Sequence, residues 1–259
     1  TTTSSFLPWL VTLLSIALLS AYWFFAAKMY LASVNYKEAT FIIEKDPYNA
    51  FLKYQKARNL DPYNPYYQQK LSQIYLAVSE AYLTKEDATT EEKTAGTNFA
   101  QRALDAAKVA AQTDPYNVTN WENLFSIYRS LISYADGSAD MALSHGLQTI
   151  SLDPTNPTLY LQIGTLIYNL GDADQSIKYI ERSSELKPDW NIPYYNLSSI
   201  YKAKKEYAKA LQYAQASLKY TDTSDTNLSI LQEEVDSLKK LVPADTQSNT
   251  ASPSGTVQQ

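Results

Sequence analysis

With a single histidine, His145, and no cysteine, this chain has few residues able to attack, shuttle protons or bind a soft metal. A catalytic triad needs a histidine beside a nucleophile and an orienting third group, and structural zinc needs several His or Cys ligands. His145 has no Glu-x-x-His partner and is expected on an exposed helix surface. The densest titratable cluster is Lys85, Glu86, Asp87, Glu91 and Glu92 within the segment Thr84 to Gly96. It lacks the alternating ligands and the turn glycine of a calcium loop, so it reads as a solvated loop insertion. Gly171 stands alone rather than in a phosphate-cradling cluster. The missing cysteines exclude disulfides and thiol catalysis and leave the redox compartment open. A net charge of -5 supplies no basic face, so nucleic acid is not an expected partner. The expectation is a non-enzymatic chain with no catalytic residue, cofactor or metal.

Large elements rather than a site dominate the sequence. Hydrophobic residues make up 45% of the 259, enough for a sizeable core, while only 6 are glycine, which suits helices better than a turn-rich β fold. From Thr1 to Ala27 no residue is charged, and Phe6 to Ala27 is a run of 22 residues, mostly apolar. As a helix it spans about 33 Å, matching a hydrocarbon core of roughly 30 Å. Trp9 sits near one end and Tyr22, Trp23 and Tyr30 near the other, as interfacial belts do, and Lys28 can reach the headgroups. A transmembrane helix over residues 6–28 is expected after a short flank, 1–5, placing the chain in a membrane as a single pass. A cleaved signal peptide is disfavoured because TTTSS carries no base. The single charge at Lys28 leans weakly toward a cytoplasmic C-terminal part and does not set the side. The start at Thr1 without Met suits a longer protein with further spans upstream.

A four-residue phrase recurs at Asp46-Pro47-Tyr48-Asn49, Asp61-Pro62-Tyr63-Asn64, Asp114-Pro115-Tyr116-Asn117 and Asp153-Pro154-Thr155-Asn156, with a degenerate copy at Lys187-Pro188-Asp189-Trp190. Proline stops the preceding helix, and Asn64, Asn117 and Asn156 stand where the next helix needs an N-cap, followed in two copies by Pro65 and Pro157. Each copy therefore ends one helix and starts another. Pro154 and Pro188 are 34 residues apart, Pro115 and Pro154 are 39, and Pro62 and Pro115 are 53.

The 34-residue period and its packing residues resemble the tetratricopeptide repeat, TPR. On the first (A) helices lie Leu71, Ser72 and Tyr75; Trp121, Leu124, Phe125 and Tyr128; Tyr160, Ile163, Gly164 and Ile167; and Tyr194, Leu197, Ser198 and Tyr201. On the second (B) helices lie Ala50, Tyr54 and Ala57; Ala103, Ala107 and Ala110, near Thr97 to Gln112; Ser176, Ile180 and Ser183; and Ala210, Ala214 and Ser217. The resemblance implies an all-α fold, a right-handed superhelical solenoid of antiparallel helix pairs over residues 29–241, preceded by the transmembrane helix. The first pair would use a continuation of that helix through about Glu44. Leu228, Leu231, Val235 and Leu238 form one stripe of a cap helix at 225–241, and the Ser/Thr/Pro/Gln-rich residues 242–259 read as a disordered tail.

In this family ligand peptides lie along the face formed by the A helices. Carried over, the resemblance implies a partner-binding groove of Tyr66, Gln69, Gln73, Thr119, Glu122, Ser126, Arg129, Leu161, Thr165, Tyr168, Tyr195, Ser199 and Lys202. Each tyrosine has a second reading, packing between hairpins. Glu122 and Thr165 stand where a clamp for an acidic chain terminus would want bases, leaving Arg129 and Lys202. The implied function is a membrane-anchored scaffold that binds a protein or peptide, with self-association as another use of the groove. The phrases Trp121-Glu122-Asn123-Leu124 and Leu152-Asp153-Pro154-Thr155-Asn156-Pro157, after a membrane helix, also resemble the C-terminal TPR region of bacterial O-antigen ligase- or polymerase-like proteins. That resemblance implies the alternative of a soluble module of a polytopic glycan enzyme. The sequons at Asn117, Asn196 and Asn227 lie on or beside packed helices and are read as chance.

Overall fold

Every described element is an α-helix. The computed structural model describes residues 6–222 and 226–243, so the expected flank at 1–5, the start of the cap helix and most of the expected tail lie outside the described residues. The chain forms two compact units, Thr1–Leu131 and Ile132–Gln259. The first contains α1 (Phe6–Ile42), α2 (Pro47–Leu60), α3 (Pro65–Leu83), α4 (Thr90–Thr113) and α5 (Val118–Ser130). The second contains α6 (Ser138–Leu152), α7 (Pro157–Asn169), α8 (Ala173–Leu186), α9 (Asn191–Ala203), α10 (Tyr207–Lys219) and α11 (Leu228–Leu241).

The Asp-Pro-Tyr-Asn phrase works as a hydrogen-bonded joint. Asp61, Asp114 and Asp153 close the helix behind them by donating their N–H to the carbonyls of Ala57, Ala110 and Thr149 at 3.0, 3.0 and 2.9 Å. Asn64, Asn117 and Asn156 open the next helix, each accepting from the N–H two residues on at 3.1–3.2 Å. In two of these copies the asparagine amide also donates back to the aspartate, at 3.1 Å, as Asn49 does to Asp46 at 2.6 Å. The first copy differs. Asp46 caps α2 itself, accepting from the Asn49 N–H at 3.1 Å with Pro47 in the first helical turn, while its own N–H donates to the Ile42 carbonyl at 2.8 Å, so one residue closes α1 and opens α2.

A further regularity was not legible beforehand. In four of the five copies the carbonyl of the phrase proline accepts a hydrogen bond from the side chain six residues later. The donors are Gln68 to Pro62 at 2.5 Å, Trp121 to Pro115 at 2.7 Å, Tyr160 to Pro154 at 3.1 Å and Tyr194 to Pro188 at 3.0 Å. A bent joint leaves that carbonyl outside any helix ladder, and a long polar side chain one turn into the next helix can reach it. The residue near the start of α3, α5, α7 and α9 therefore packs with its body and ties the joint with its tip.

Helices pair closely where their facing residues are small. In the first unit α3 lies along α4, with Ala100, Ala103, Ala107 and Ala110 buried and Ser79 Oγ donating to the Gly96 carbonyl at 2.8 Å. A Cβ at Gly96 would sit 2.8 Å from Leu83 Cγ. In the second unit α7 pairs with α8 and α9 with α10. Ser198 Oγ donates to the Ala210 carbonyl at 2.9 Å, and Ser183 Oγ to the Pro157 carbonyl at 2.8 Å. Around these seams Leu161, Ile177, Ile180, Leu197, Ile200, Leu211, Val235 and Leu238 form one core.

Four expectations need correction. The segment 84–96 is not a loop insertion, because only its first residues bridge α3 and α4. Thr89 and Glu92 form a capping box, Thr89 Oγ1 accepting from the Glu92 N–H at 3.2 Å and Glu92 from the Thr89 N–H at 2.8 Å, so α4 starts at Thr90 rather than near Thr97. The extra length there goes into longer helices, and Glu91 and Glu92 favour the helix N-terminus by charge. The cap helix starts at Leu228 within the described residues, and Val242, expected in the tail, is buried with the core. His145 is half-buried on α6 rather than exposed.

α1 is one continuous helix with two characters. Large side chains from Trp9 to Leu31 are exposed, for example Leu18 at 71% and Trp23 at 69%. From Ala32 onward Ala32, Asn35 and Ala39 are buried, packed on α2, and Tyr36 lies against the rings of Tyr54 and Tyr67 at 5.4 and 5.0 Å. The helix is thus long and apolar enough to cross a membrane, and among the described residues none of its apolar window is buried. Its final turns are the A helix of the first pair, as the sequence implies.

Two turns of the second unit test the role of glycine. At Gly171 (φ 98°) and at Lys205 (φ 62°) the chain leaves an A helix through the left-handed region, with matching bonds from Asp172 to the Ile167 carbonyl and from Glu206 to the Tyr201 carbonyl. Replacing Lys205→Gly removes a strained left-handed lysine and is expected to raise stability by about 1 kcal/mol. Gly164→Ala instead drives a methyl to 2.6 Å from Ile180 Cγ1 and is expected to cost about 1–3 kcal/mol. Urea unfolding of the full chain in detergent measures both.

Candidate functional site

The implied groove residues divide between the units. In the first, Tyr66 and Gln73 on α3 and Thr119 and Arg129 on α5 are exposed, with Gln69, Glu122 and Ser126 half-buried. The two helices are tied beneath them by a buried bond from Asn123 Nδ2 to Ser72 Oγ at 2.7 Å. At the surface Gln69 Nε2 reaches the Thr119 carbonyl at 3.5 Å, and the Arg129 guanidinium lies over the Phe125 ring at 5.3 Å. The face is neutral and polar with one base, suited to adaptable contacts with a peptide.

In the second unit Leu161 is a correction. It is buried in the core rather than lining a groove, because α9 and the residues around Ile177 close over that side of α7. Thr165 is half-buried and donates to the Leu161 carbonyl at 2.8 Å, and Tyr168 is half-buried against the same core. The α9 set stands apart from these. Tyr195, Ser199 and Lys202 are exposed on successive turns and, with Ser198, Ala203 and Ala214, line a cleft of about 360 Å³. Its other wall is Ile230, Leu231 and Glu234 of α11.

α11 was read from its stripe as a cap helix only. Its polar flank does more: Glu234 accepts from Lys202 Nζ at 2.7 and 2.9 Å, so one of the two bases on the implied groove is matched by the chain's own carboxylate. The signal was present in the sequence as Glu234, three residues after core-facing Leu231, but the partner across 32 residues was not. Ile230 is 59% exposed beside it and leaves an apolar lip on the cleft.

Nearby, Tyr213 stacks on Tyr201 with centroids 5.4 Å apart and donates to Glu181 at 3.0 Å. Burial, reinforced by the charge of Glu181, pushes its hydroxyl well above the ordinary phenol range. A phenol so held keeps its proton near neutral pH and serves as a fixed hydrogen-bond donor to Glu181. Among the described residues no three His, Cys, Asp or Glu groups converge as metal ligands.

Lys202 and Glu234 have side chains 44% and 27% exposed, so water screens them and their mutual attraction is expected to be about 1 kcal/mol or less. A double-mutant cycle with Lys202→Gln and Glu234→Gln, read by urea unfolding, measures it.

Residues 157–189 and 193–223 each match the model of the tetratricopeptide repeat. Solved structures of similar fold include PilF of Pseudomonas aeruginosa, 13% identical, with a TM-score of 0.59 over 86% of this chain and 90% of that one. A thermophilic TPR protein of Thermus thermophilus is 17% identical, with a TM-score of 0.52 over 81% and 99%. YrrB, described as a TPR protein with an unusual peptide-binding site, is 16% identical, with a TM-score of 0.53 over 77% and 90%. No curated protein matches the chain by sequence. The chain carries tetratricopeptide repeats, and its fold resembles that of TPR solenoid proteins.

Proposed function

We propose that this chain is a membrane-anchored TPR scaffold that holds a protein or peptide on the faces of its A helices. One observation carries the reading: α1 is a single helix, fully exposed and apolar where it leaves the fold and packed where it joins it. Exposed side chains of that size over that length are costly in water and stable in hydrocarbon, at roughly 25 cal/mol per Å² transferred. A core-helix role is disfavoured because none of the described residues buries the apolar stretch. The anchor occupies residues 6–28, and α1 runs unbroken to Ile42, so the repeats would begin close to the bilayer surface.

The binding reading is supported by the family's habit of using A-helix faces, by the peptide-binding site named for YrrB, and by the cleft between α9 and α11. The cleft combines an aromatic ring, an apolar lip and a paired charge, and its volume of about 360 Å³ accommodates one or two side chains of an extended peptide. Lys202, engaged by Glu234, makes an acidic terminus a poor ligand there, so the favoured ligand is neutral or mixed in charge and presents an apolar side chain to Ile230 and Tyr195. The remaining candidates Tyr66, Gln69, Gln73, Thr119, Glu122, Ser126, Arg129, Thr165 and Tyr168 belong to the same proposal.

Photo-crosslinking tests it. With a crosslinking amino acid in place of Ser199 in the full chain in native membranes, the expected result is a discrete adduct. The same group in place of exposed Lys178 on α8 gives none. Adding Tyr195→Ala together with Ile230→Ser should weaken adduct formation by about tenfold, equivalent to about 1.4 kcal/mol. Equal labelling from both positions, or an adduct indifferent to the double substitution, contradicts a binding role for the cleft; an adduct of chain-plus-chain mass identifies self-association.

A further inference from the structure

A second cleft, of about 350 Å³, opens between α2, α3 and α4 in the first unit, away from the implied peptide face, and its chemistry is unlike the first. Arg58 and Arg102 line it with Asp105, Gln55, Gln68 and Tyr75. Its hydrogen-bonding groups are unevenly matched. Gln68 Nε2 is committed to the Pro62 carbonyl at 2.5 Å. Gln55 Nε2 donates to the Tyr75 hydroxyl oxygen at 3.3 Å, which leaves the tyrosine proton free to be given away. Asp105 is engaged along its own helix by Gln101 Nε2 at 2.8 Å. Arg102 lies over the Phe99 ring at 5.6 Å. Arg58 is half-buried, and its Nε, shut off from solvent, has no acceptor on the protein.

A guanidinium edge, Nε–H with its neighbouring Nη–H, is shaped to hold the two oxygens of a carboxylate. An unmet buried donor is costly, and a rotation of the half-buried Arg58 side chain that brings its guanidinium edge to an oxygen in the cleft relieves it. Two guanidinium groups against one carboxylate leave the cleft with a single excess positive charge, which balances a monoanion and under-balances a phosphate dianion. We infer that this cleft binds a carboxylate presented by a peptide, held by Arg58 and Arg102 with Tyr75 as third donor. The site is independent of the α9–α11 cleft: the anion-holding role that Lys202, paired with Glu234, leaves unfilled there is filled here, by B-helix arginines.

Arginine-selective NMR of the full chain in detergent tests this through the Arg58 Nε–Hε resonance. The probes are N-acetylglycine for a chain-terminal carboxylate, N-acetylglutamic acid α-amide for a side-chain carboxylate, N-acetylglutamine amide as the neutral isostere, and inorganic phosphate. The expected result is a saturable shift with at least one carboxylate probe and none with the neutral amide, the tighter carboxylate naming the source. Arg102→Gln, at an exposed position that should leave folding intact, is expected to weaken the carboxylate at least tenfold. Arg58→Gln should do the same, and Lys108→Gln, exposed on α4, should leave it unchanged. No shift with either carboxylate, an equal shift with the neutral amide, tighter binding of phosphate, or parental affinity in Arg102→Gln overturns the assignment.

Discussion

At Gly164 the backbone of α7 runs so close to α8 that a Cβ would lie 2.6 Å from Ile180 Cγ1 and 3.2 Å from the Ser176 carbonyl. Gly96 stands in the same relation to Leu83 in the first unit. Between and around them the seams are made of alanine and serine, with Ala103, Ala107, Ala110, Ser176, Ser183, Ala210 and Ser217 all buried. Helices that approach this closely gain dispersion contacts along their whole length, and large residues fill the wider gaps between pairs. The bulky side chains are therefore on the outer faces of each pair, where they reach the neighbouring pair, and a single hairpin could not bury them alone. Remove the small residues and the pairs splay, and with them the surfaces on which the proposed binding depends.

From that constraint the polar surfaces follow. In the second unit α9 packs on both α10 and α8, so only a narrow band remains open, and Tyr195, Ser199 and Lys202 occupy that band. The same geometry leaves α11 with a free flank once Leu231, Val235 and Leu238 are buried, which is how Glu234 comes to face Lys202. Upstream, α1 satisfies the requirement for a first A helix with its last turns only, through Ala32 and Ala39 against α2. The rest of α1 is left without a protein surface, and its composition suits a lipid one.

Much of this was legible because the phrase Asp-Pro-Tyr-Asn encodes its own hydrogen bonds. Proline and asparagine act within a few residues of themselves, so Asn64, Asn117 and Asn156 could be placed as caps from sequence. The small-residue seams were legible for the same reason, being a period along one helix. What sequence reading missed was either a competing local signal or a distant partner. The Thr89–Glu92 capping box was hidden in a run of charge read as a solvated loop. Leu161 was placed on an open face because the A-helix period does not reveal that α9 closes over that side. The donation from Gln68, Trp121, Tyr160 and Tyr194 to a proline carbonyl, and the Lys202–Glu234 pair, depend on bends and contacts that no periodicity carries.

The close seam can be observed without perturbing it. Methyl NOE spectra of the full chain, labelled at isoleucine and leucine methyls, should show cross-peaks from the Gly164 Hα protons to Ile180 and from the Gly96 Hα protons to Leu83. Both contacts follow from approaches of 2.6 and 2.8 Å to the position a Cβ would take. Spectra in which both pairs are silent, while core contacts such as Ile180 to Leu197 remain strong, would contradict helix pairing through small residues as the basis of this fold.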